Sequence, residues 1–264
     1  MNVLCIDVGN TFTHIAVVKP DGVDEISKIQ TREISMSGNR MAEVLDQLVS
    51  SSGIVGVSFC SVVPGIYPHL IKHLRIFTTR LFNLTAKTCI GMNIDYPDPN
   101  EIGQDRLANG VGAQAKYGTP SVVIDMGTAV TFDVVSGDRG YEGGVIAPGL
   151  NLMSNYLHEK TALLPQVHSK DWKTTSAVGK STKEAIGIGC RRGFQGMVRS
   201  LLEPIKTELK ERTKQDPKIV VTGGDTEFWE SVGESSWIMD PHITHLGLYE
   251  AFKRWIESEQ AKKT

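Results

Sequence analysis

The sequence predicts an α/β protein made of two related halves. The first observation is a repeat: Val3–Gly9 is an apolar run that delivers Asp7 into a glycine-containing turn, and Val122–Gly127 delivers Asp125 in the same way. The second is the order of the elements, since each half begins with strands and continues with strands and helices in alternation. Copies half a chain apart fit a duplicated domain, and two unrelated hairpins are the alternative.

The first half is predicted to contain five β segments and two helices before a connecting helix. Met41, Val44, Leu45 and Leu48 have the spacing of one apolar helical face. The predicted elements are strands at 2–8, 12–18, 24–32 and 54–63, a helix at about 39–51, a helix from Pro64 to about Leu74, a β segment at 76–84, and a connecting helix near 104–117.

The second half repeats that order, so we expect one domain at 1–117 and a second at 118–264. A turn is expected at Gly143-Gly144 and a solvated tail at 258–264. The predicted elements are strands at 121–126, 129–136, 141–147 and 219–222, a helix after Gly149, a loop at about 165–173, and helices at about 182–214 and 246–257.

Composition and charge narrow the class of protein. The 264 residues are 40% hydrophobic, enough for one large core or two medium ones. A net charge of -2 and a pI near 6.4 argue against nucleic acid or an anionic membrane as the main partner. No apolar stretch reaches the ~18 residues of a membrane span, and no basic leader precedes the first strand, so we expect a cytoplasmic protein.

The two repeated turns have the chemistry of a phosphate site. Glycine lets backbone N–H groups approach an anion closely, and an aspartate at a strand tip can hold a cation. Two such turns facing each other would bind a nucleotide phosphate tail from both sides. For Asp125, the alternative is a carboxylate that only hydrogen-bonds its own turn.

Other patterns in the chain are weak. The four cysteines form no C-x-x-C pair, which favours buried free thiols over zinc or redox roles. Gly179–Thr182 resembles the end of a Walker A loop, but position 174 is Thr and the approach is polar. His158-Glu159 lacks the second histidine of a zinc protease motif.

Nine short motifs spread over almost the whole chain stand out by their order and spacing. They are Asp7–Thr11, Ser61–Pro64, Tyr96–Pro97, Gly103–Arg106, Asp125–Ala129, Gly144–Leu150, Thr161–Pro165, Thr222–Gly224 and Leu246–Leu248. Together they resemble the motifs of the type III pantothenate kinases. The resemblance implies an α/β fold of two related actin/hexokinase-like (ribonuclease H-like) domains around a nucleotide cleft. It also implies ATP-dependent phosphorylation of pantothenate, the first step of coenzyme A biosynthesis.

The same resemblance implies roles for individual residues. Asp7 would hold Mg²⁺, either directly or through a water molecule, and Asp125 would help to bind a monovalent cation, K⁺ or NH₄⁺. The ATP-binding residues would be Asp7, Val8, Gly9, Asn10, Thr11, Phe12, Thr13, His14 and Thr128. The pantothenate-binding residues would be Tyr96, Gly103, Gln104, Asp105, Arg106 and Thr182, with Thr182 supplied across the interface of a homodimer.

Asp105 is the expected catalytic base that accepts the proton of the pantothenate hydroxyl. Its alternative role is to cap the helix that begins beside it. Arg106 would bind the carboxylate of pantothenate or a phosphate, or else form a surface ion pair. Tyr96 is expected either to contact the substrate or to be a packed aromatic residue. Thr182 is expected either to contact the substrate or to cap its own helix.

Two departures from the family pattern and two other functions are also considered. Gln104 stands where the family usually has Ala, and Phe12–His14 replaces a different usual sequence. A kinase of another small alcohol or of polyphosphate would keep the fold. A regulatory relative without turnover is the third hypothesis, and the intact Asp7, Asp105, Arg106 and Asp125 argue against it.

The expected dimer interface lies on the helix at about 182–214. Met197 and Leu201 are the residues on which it would rest. The alternative is that this apolar face packs on its own domain.

Overall fold

The computed structural model describes residues 1–35, 40–50, 53–168, 176–224 and 235–262. The strands are β1 (Asn2–Val8), β2 (Phe12–Lys19), β3 (Gly22–Gln30), β4 (Ile54–Ser61), β5 (Leu81–Asn83), β6 (Ser121–Met126), β7 (Ala129–Ser136), β8 (Gly140–Pro148), β9 (Lys218–Thr222) and β10 (Ile238–Met239). The α-helices are α1 (Arg40–Ser50), α2 (Tyr67–Phe77), α3 (Gln104–Tyr117), α4 (Leu150–Glu159), α5 (Thr182–Thr213) and α6 (Ile243–Ala261).

Contacts group the chain into two units. One contains residues 1–119, 135–143 and 242–264, and the other contains residues 120–134 and 144–241. The last helix, α6, therefore belongs with the first unit by contact, through its packing on α3. The domain limits of 1–117 and 118–264 stay a prediction.

The first unit is built on a five-stranded sheet in the order β3-β2-β1-β4-β5. β1 runs antiparallel to β2 and parallel to β4. Alternate residues of β1 face opposite sides, as a pleated strand requires. Val3 and Cys5 pack with buried residues of α3 and α6, whereas Leu4 and Ile6 pack with buried residues of α1 and α2. Helices thus cover both faces of the sheet. Because side chains alternate along a strand, Asp7 lies on the same face of β1 as Cys5.

The second sheet has the order β10-β9-β6-β7-β8. In each sheet the central strand, β1 or β6, has the next two strands of the chain on one side and two later strands on the other. This common arrangement confirms the two related halves predicted from the repeat. β9 is parallel to β6 and β10 is parallel to β9. Its core joins Val122 and Ile124 to Phe194, Val198 and Leu202 of α5.

Three of the predicted local structures are wrong. Residues 76–77 end α2 instead of beginning a β segment, because Leu70, Leu74 and Phe77 form a helical stripe on the core. No turn occurs at Gly143-Gly144, where β8 continues, and Gly143 (φ 107°) leaves room for the ring of Tyr96. Residues 258–261 are the last turn of α6 and not a tail.

The loop predicted at about 165–173 lies partly outside the described residues, which resume at Ser176. Within the part that is described, Val167 is buried against Ile186 and Cys190 of α5. Among the described residues, no helix has the length and apolar character needed to cross a membrane. The cytoplasmic location stays a prediction.

Candidate functional site

The first glycine turn joins β1 to β2 and is held by a residue that directly follows a third strand. The N–H of Gly9 donates to the carbonyl oxygen of Phe12 at 3.1 Å. Thr31, directly after β3, donates its hydroxyl to Gly9 O at 2.7 Å and its N–H to Thr11 O at 3.0 Å. Three hydrogen bonds, two from the main chain and one from the hydroxyl of Thr31, therefore hold the turn, and Thr31 is a supporting residue that the sequence pattern did not indicate.

The predicted ATP-binding segment is only partly accessible. Asn10, Thr11 and Phe12 are exposed, whereas the side chains of Val8 and Thr13 are fully buried. Val8 and Thr13 can therefore contribute only backbone groups to a ligand. The Nζ atom of Lys28 lies 3.9 Å from the centre of the Phe12 ring, which places a cation beside the turn.

The same positive charge acts on His14. This side chain is half-buried, and burial followed by the charge of Lys28 lowers its pKa.

The second glycine turn joins β6 to β7 in the other unit. The N–H of Gly127 donates to Ala129 O at 3.0 Å, and the N–H of Gly149 donates to Thr128 O at 3.1 Å. A Cβ atom at Gly149 would collide with Gly127 O and Thr128 O, and one at Gly223 (φ 100°) would collide with the backbone of Met126. Because neither glycine has a Cβ atom, the backbone at both positions can pack directly against the turn. The side chain of Thr128 is exposed at the tip of the turn.

Asp7 stands in a row of polar residues across the first sheet. The register pairs it with His14 on β2 and with Cys60 on β4. The thiol of Cys60 donates to Oδ1 of Asp7 at 3.3 Å. Burial raises the pKa of Cys60, and the charges of Asp7 and then Asp105 raise it further. The negative charges of Asp7 and Asp105 therefore both act on this buried thiol.

Asp105 is in the first turn of α3. Its Oδ1 accepts a hydrogen bond from the N–H of Arg106 at 2.8 Å. Burial raises the pKa of Asp105, and this effect is opposed by that hydrogen bond and by the charge of Arg106. Gly103 is the N-cap residue, and a Cβ there would lie only 2.6 Å from Asp105 Oδ1. The carboxylate thus satisfies one helix N–H, as the capping alternative required, while its raised pKa suits a proton acceptor.

Tyr96 and Thr182 differ in their surroundings. Tyr96 is half-buried against the core formed with α3 and α6, which supports its reading as a packed aromatic. Thr182 is exposed at the start of α5. It is not the N-cap, because Ser181 holds that position and its Oγ accepts from the N–H of Glu184 at 3.2 Å.

Thr182 lines a groove of about 890 Å³ between α4 and α5. The walls of the groove are mostly apolar, and several of the surrounding side chains are exposed. Leu152, Tyr156 and Leu157 of α4 are 43%, 57% and 36% exposed. Met197 and Leu201, the residues expected at a dimer interface, pack partly against the core of their own unit.

The described residues contain no cluster of three or more His, Cys, Asp or Glu side chains that could hold a metal ion. Mg²⁺ that binds together with a nucleotide usually takes one or two carboxylates and completes its shell with phosphate oxygens and water. Asp7 is half-buried at a strand end beside an exposed turn, so it can supply such a carboxylate. The four cysteines are free thiols, and all but Cys89 are buried.

A sequence profile described as type III pantothenate kinase matches residues 3–204. Two relatives that bear the name type III pantothenate kinase are similar over almost the full length of both chains. The protein from Akkermansia muciniphila is 40% identical, covering 94% of this chain and 97% of the relative. The protein from Caulobacter vibrioides is 33% identical, covering 96% of this chain and 98% of the relative.

Solved structures are similar in fold at low sequence identity. A Baf family transcriptional activator from Campylobacter jejuni has a TM-score of 0.57 and 18% identity, covering 98% of this chain and 99% of that one. An activator of 2-hydroxyisocaproyl-CoA dehydratase from Clostridium difficile, with bound ADPNP, has a TM-score of 0.50 and 13% identity, covering 99% and 98%. At such identity the similarity establishes that this chain shares the fold of these two structures.

Proposed function

This chain belongs to the type III pantothenate kinase family, and from that premise we propose which of its residues bind the substrates and transfer the phosphoryl group. The family activity is ATP-dependent phosphorylation of pantothenate, the first step of coenzyme A biosynthesis, and the chain is a kinase of this kind. The observation that carries the residue assignment is a pair of hydrogen bonds at the end of β4: the thiol of Cys60 donates to Asp7, and the N–H of the next residue, Ser61, donates to Gln104, the neighbour of Asp105.

The phosphates of ATP bind at the first glycine turn, and Thr128 is a further residue that the resemblance assigns to ATP. The exposed Asn10 and Thr11 offer backbone and side-chain donors on the first turn, and Thr128 offers its hydroxyl on the second. Thr31 supports this role because it fixes the first turn in advance, which lowers the entropic cost of binding. Asp7 would hold Mg²⁺, which would supply positive charge to the phosphate oxygens.

Asp105 orients the primary hydroxyl of pantothenate and accepts its proton. The hydroxyl oxygen forms a bond to the γ-phosphorus as the bond from that phosphorus to the bridging oxygen breaks, and ADP leaves. The raised pKa of Asp105 supports this role, because a more basic carboxylate is a better proton acceptor. Arg106, beside it, binds the carboxylate of pantothenate through its planar set of donors.

Asp125 helps to hold a monovalent cation, K⁺ or NH₄⁺. The carboxylate is half-buried at the end of β6, directly before the turn that presents Thr128. A cation there offsets the negative charge that the triphosphate brings next to a carboxylate.

The enzyme is a homodimer, and the groove between α4 and α5 is the surface on which a second copy docks. Leu152, Tyr156 and Leu157 form an exposed apolar strip along this groove, a feature that marks interaction surfaces more than monomer surfaces. Thr182 lines the groove, so a partner bound there would lie next to a residue that the resemblance assigns to pantothenate.

The direct test is ADP release with ATP and Mg²⁺, measured with and without pantothenate. Release that requires pantothenate, together with a product heavier by one phosphoryl group, is the expected result. An analogue of pantothenate whose carboxylate is replaced by a hydroxyl should raise KM more than it lowers kcat, because Arg106 binds that carboxylate. ADP release at the same rate without pantothenate, or with any small alcohol in its place, would contradict the assignment.

A further inference from the structure

The side chain of Gln104 bonds to the main chain of a strand far away in sequence. Its Oε1 accepts a hydrogen bond from the N–H of Ser61 at 2.8 Å, between residues 43 positions apart. A backbone N–H can only donate, so this bond fixes which end of the amide carries the oxygen. Gln104 is the first residue of α3 and Ser61 is the last residue of β4, so the bond joins a helix start to a strand end.

The Ser61 side of this bond is firmly held. Ser61 pairs with Val8 in the sheet register, and the N–H of Val62 donates to Val8 O at 3.1 Å. The hydroxyl of Ser61 also accepts from the N–H of Val63 at 3.1 Å. The preceding residue is Cys60, whose thiol contacts Asp7. The Oε1 atom of Gln104 is thus bonded to the end of β4, the same strand end at which Cys60 orients the carboxylate of Asp7.

The other side of the bond is a helix start that needs support. The first N–H groups of a helix have no partner within the helix, and the N-cap here is Gly103, which makes no side-chain cap. In the first turn, Asp105 bonds to the neighbouring N–H of Arg106, which does not connect α3 to another element. Gln104 makes that connection.

We propose that Gln104 is a positioning residue, which fixes the first turn of α3 to the end of β4 and thereby holds Asp105 at a set place relative to Asp7. The inference rests on the role of Asp105 proposed above. Phosphoryl transfer depends on alignment of the acceptor hydroxyl with the terminal phosphate, and a shift of about 1 Å can cost about 10²-fold in rate. The side chain acts through Asp105 and not by contact with the reacting atoms.

The test is a Gln104→Met variant, which keeps side-chain length and removes the acceptor. We expect kcat to fall about tenfold, on the scale of a partly misplaced reactive group, while KM for ATP changes less than twofold. Gln104→Asn keeps the amide but shortens its reach, so it should lose kcat to a similar extent and serves if the Met variant does not fold. Wild-type kcat in either folded variant would overturn the proposal.

The matched control is Gln114→Met on the same helix. Gln114 bonds to Arg254 near the other end of α3, so the same substitution there should leave kcat within about twofold. An equal loss of kcat in the Gln114 variant would mean that any change in α3 slows the enzyme, which also overturns the proposal.

Combination with Asp105→Asn separates this proposal from the one on which it rests. If Gln104 acts through Asp105, Gln104→Met should have less than a twofold effect once Asp105 is already replaced. A further tenfold loss in that background would overturn the positioning role. Near-normal activity of Asp105→Asn alone would refute the catalytic assignment of Asp105, a different and separately readable outcome.

Discussion

Asp7 accepts a hydrogen bond from the thiol of Cys60, with 3.3 Å between Oδ1 and Sγ, across the adjacent strands β1 and β4. Because burial raises the pKa of Cys60, the sulfur keeps its proton near neutral pH and remains a donor. One oxygen of Asp7 is thereby oriented by a residue of the neighbouring strand. A partner that orients a metal-binding carboxylate commonly affects metal affinity as well.

Replacement of Cys60 by Ala should therefore raise the Mg²⁺ concentration for half-maximal rate by about tenfold. Cys60→Ser keeps a donor and should stay within about threefold of the wild type. Cys5→Ala is the control, since Cys5 is a buried thiol that lies on the same face of β1 as Asp7 but packs in the apolar core. The measurement is the rate of each variant across a series of Mg²⁺ concentrations. Identical Mg²⁺ dependence of the Cys60→Ala and Cys60→Ser variants would contradict the prediction.

Asp105→Asn should lower kcat by about 10²-fold or more while the fold and ATP binding remain. The amide keeps the size of the side chain but cannot take the hydroxyl proton. Asp98→Asn is a suitable control, because Asp98 is an exposed carboxylate that caps the short helix at Pro99–Glu101, a role that Asn also fills. Activity of Asp105→Asn within threefold of the wild type would leave Asp105 only as an acceptor for a helix N–H.

The raised pKa of Asp105 also predicts a pH effect with a definite sign. The base must be ionised, so kcat/KM should fall as the pH drops through a value higher than that of an ordinary aspartate. A pH–rate profile of the wild type measures this limb.

Activity should depend on a monovalent cation, and Asp125→Ala should remove both the dependence and most of the activity. The physical reason is the charge that a triphosphate and a carboxylate bring together, which one Mg²⁺ does not fully offset. Asp138→Ala, in the exposed turn after β7, is the control. The measurement compares rates in potassium, sodium and a bulky organic cation, and equal rates in all three would refute the prediction.

His245 should make the first unit less stable in acid. It is buried, neither ring nitrogen has a hydrogen-bond partner among the described residues, and burial, followed by the charge of His14, lowers its pKa to about 4. An unfolded histidine titrates near 6.5, so below that pH the unfolded chain binds a proton that the folded chain does not. Stability from this group is complete above about pH 6.5 and declines toward about pH 4, by roughly 2 kcal/mol at about pH 5.

Urea unfolding at about pH 7.5 and about pH 5 tests the effect of His245. His245→Leu should shrink the loss of stability between the two pH values by roughly 2 kcal/mol, and His69→Leu, an exposed histidine on α2, should not. The same pH dependence in wild type and His245→Leu would show that other groups cause the acid sensitivity.

The central strands and the glycine turns were predictable because their signals are local. Alternation and apolar runs define β1 and β6, and the repeated Asp and Gly mark the turns after them. The contacts that support the site were not predictable, since Thr31, Cys60 and Gln104 each bond to residues distant in sequence. The β propensity of residues 76–77 was misleading because packing of the α2 stripe on the core outweighed it, whereas Leu81–Asn83 within the same predicted segment form β5.

The dimer proposal predicts that active sites are shared between subunits. An isologous interface over the groove between α4 and α5 should bury more than ~1,000 Å² and place Thr182 of one copy beside the pantothenate site of the other. Leu157→Glu would put a charge into the apolar groove and should split the dimer in sedimentation velocity. Ile76→Glu is the control, because Ile76 is 73% exposed on α2 and lies outside the groove.

Subunit mixing tests the shared site itself. An Asp105→Asn subunit paired with a Thr182→Ala subunit leaves one site with both residues intact and one site with neither. If subunits exchange at random, half of the dimers are mixed and each has one working site, so activity should rise to roughly a quarter of the wild type. A monomer in sedimentation, or exchange without any rise above the two parent variants, would refute the shared site.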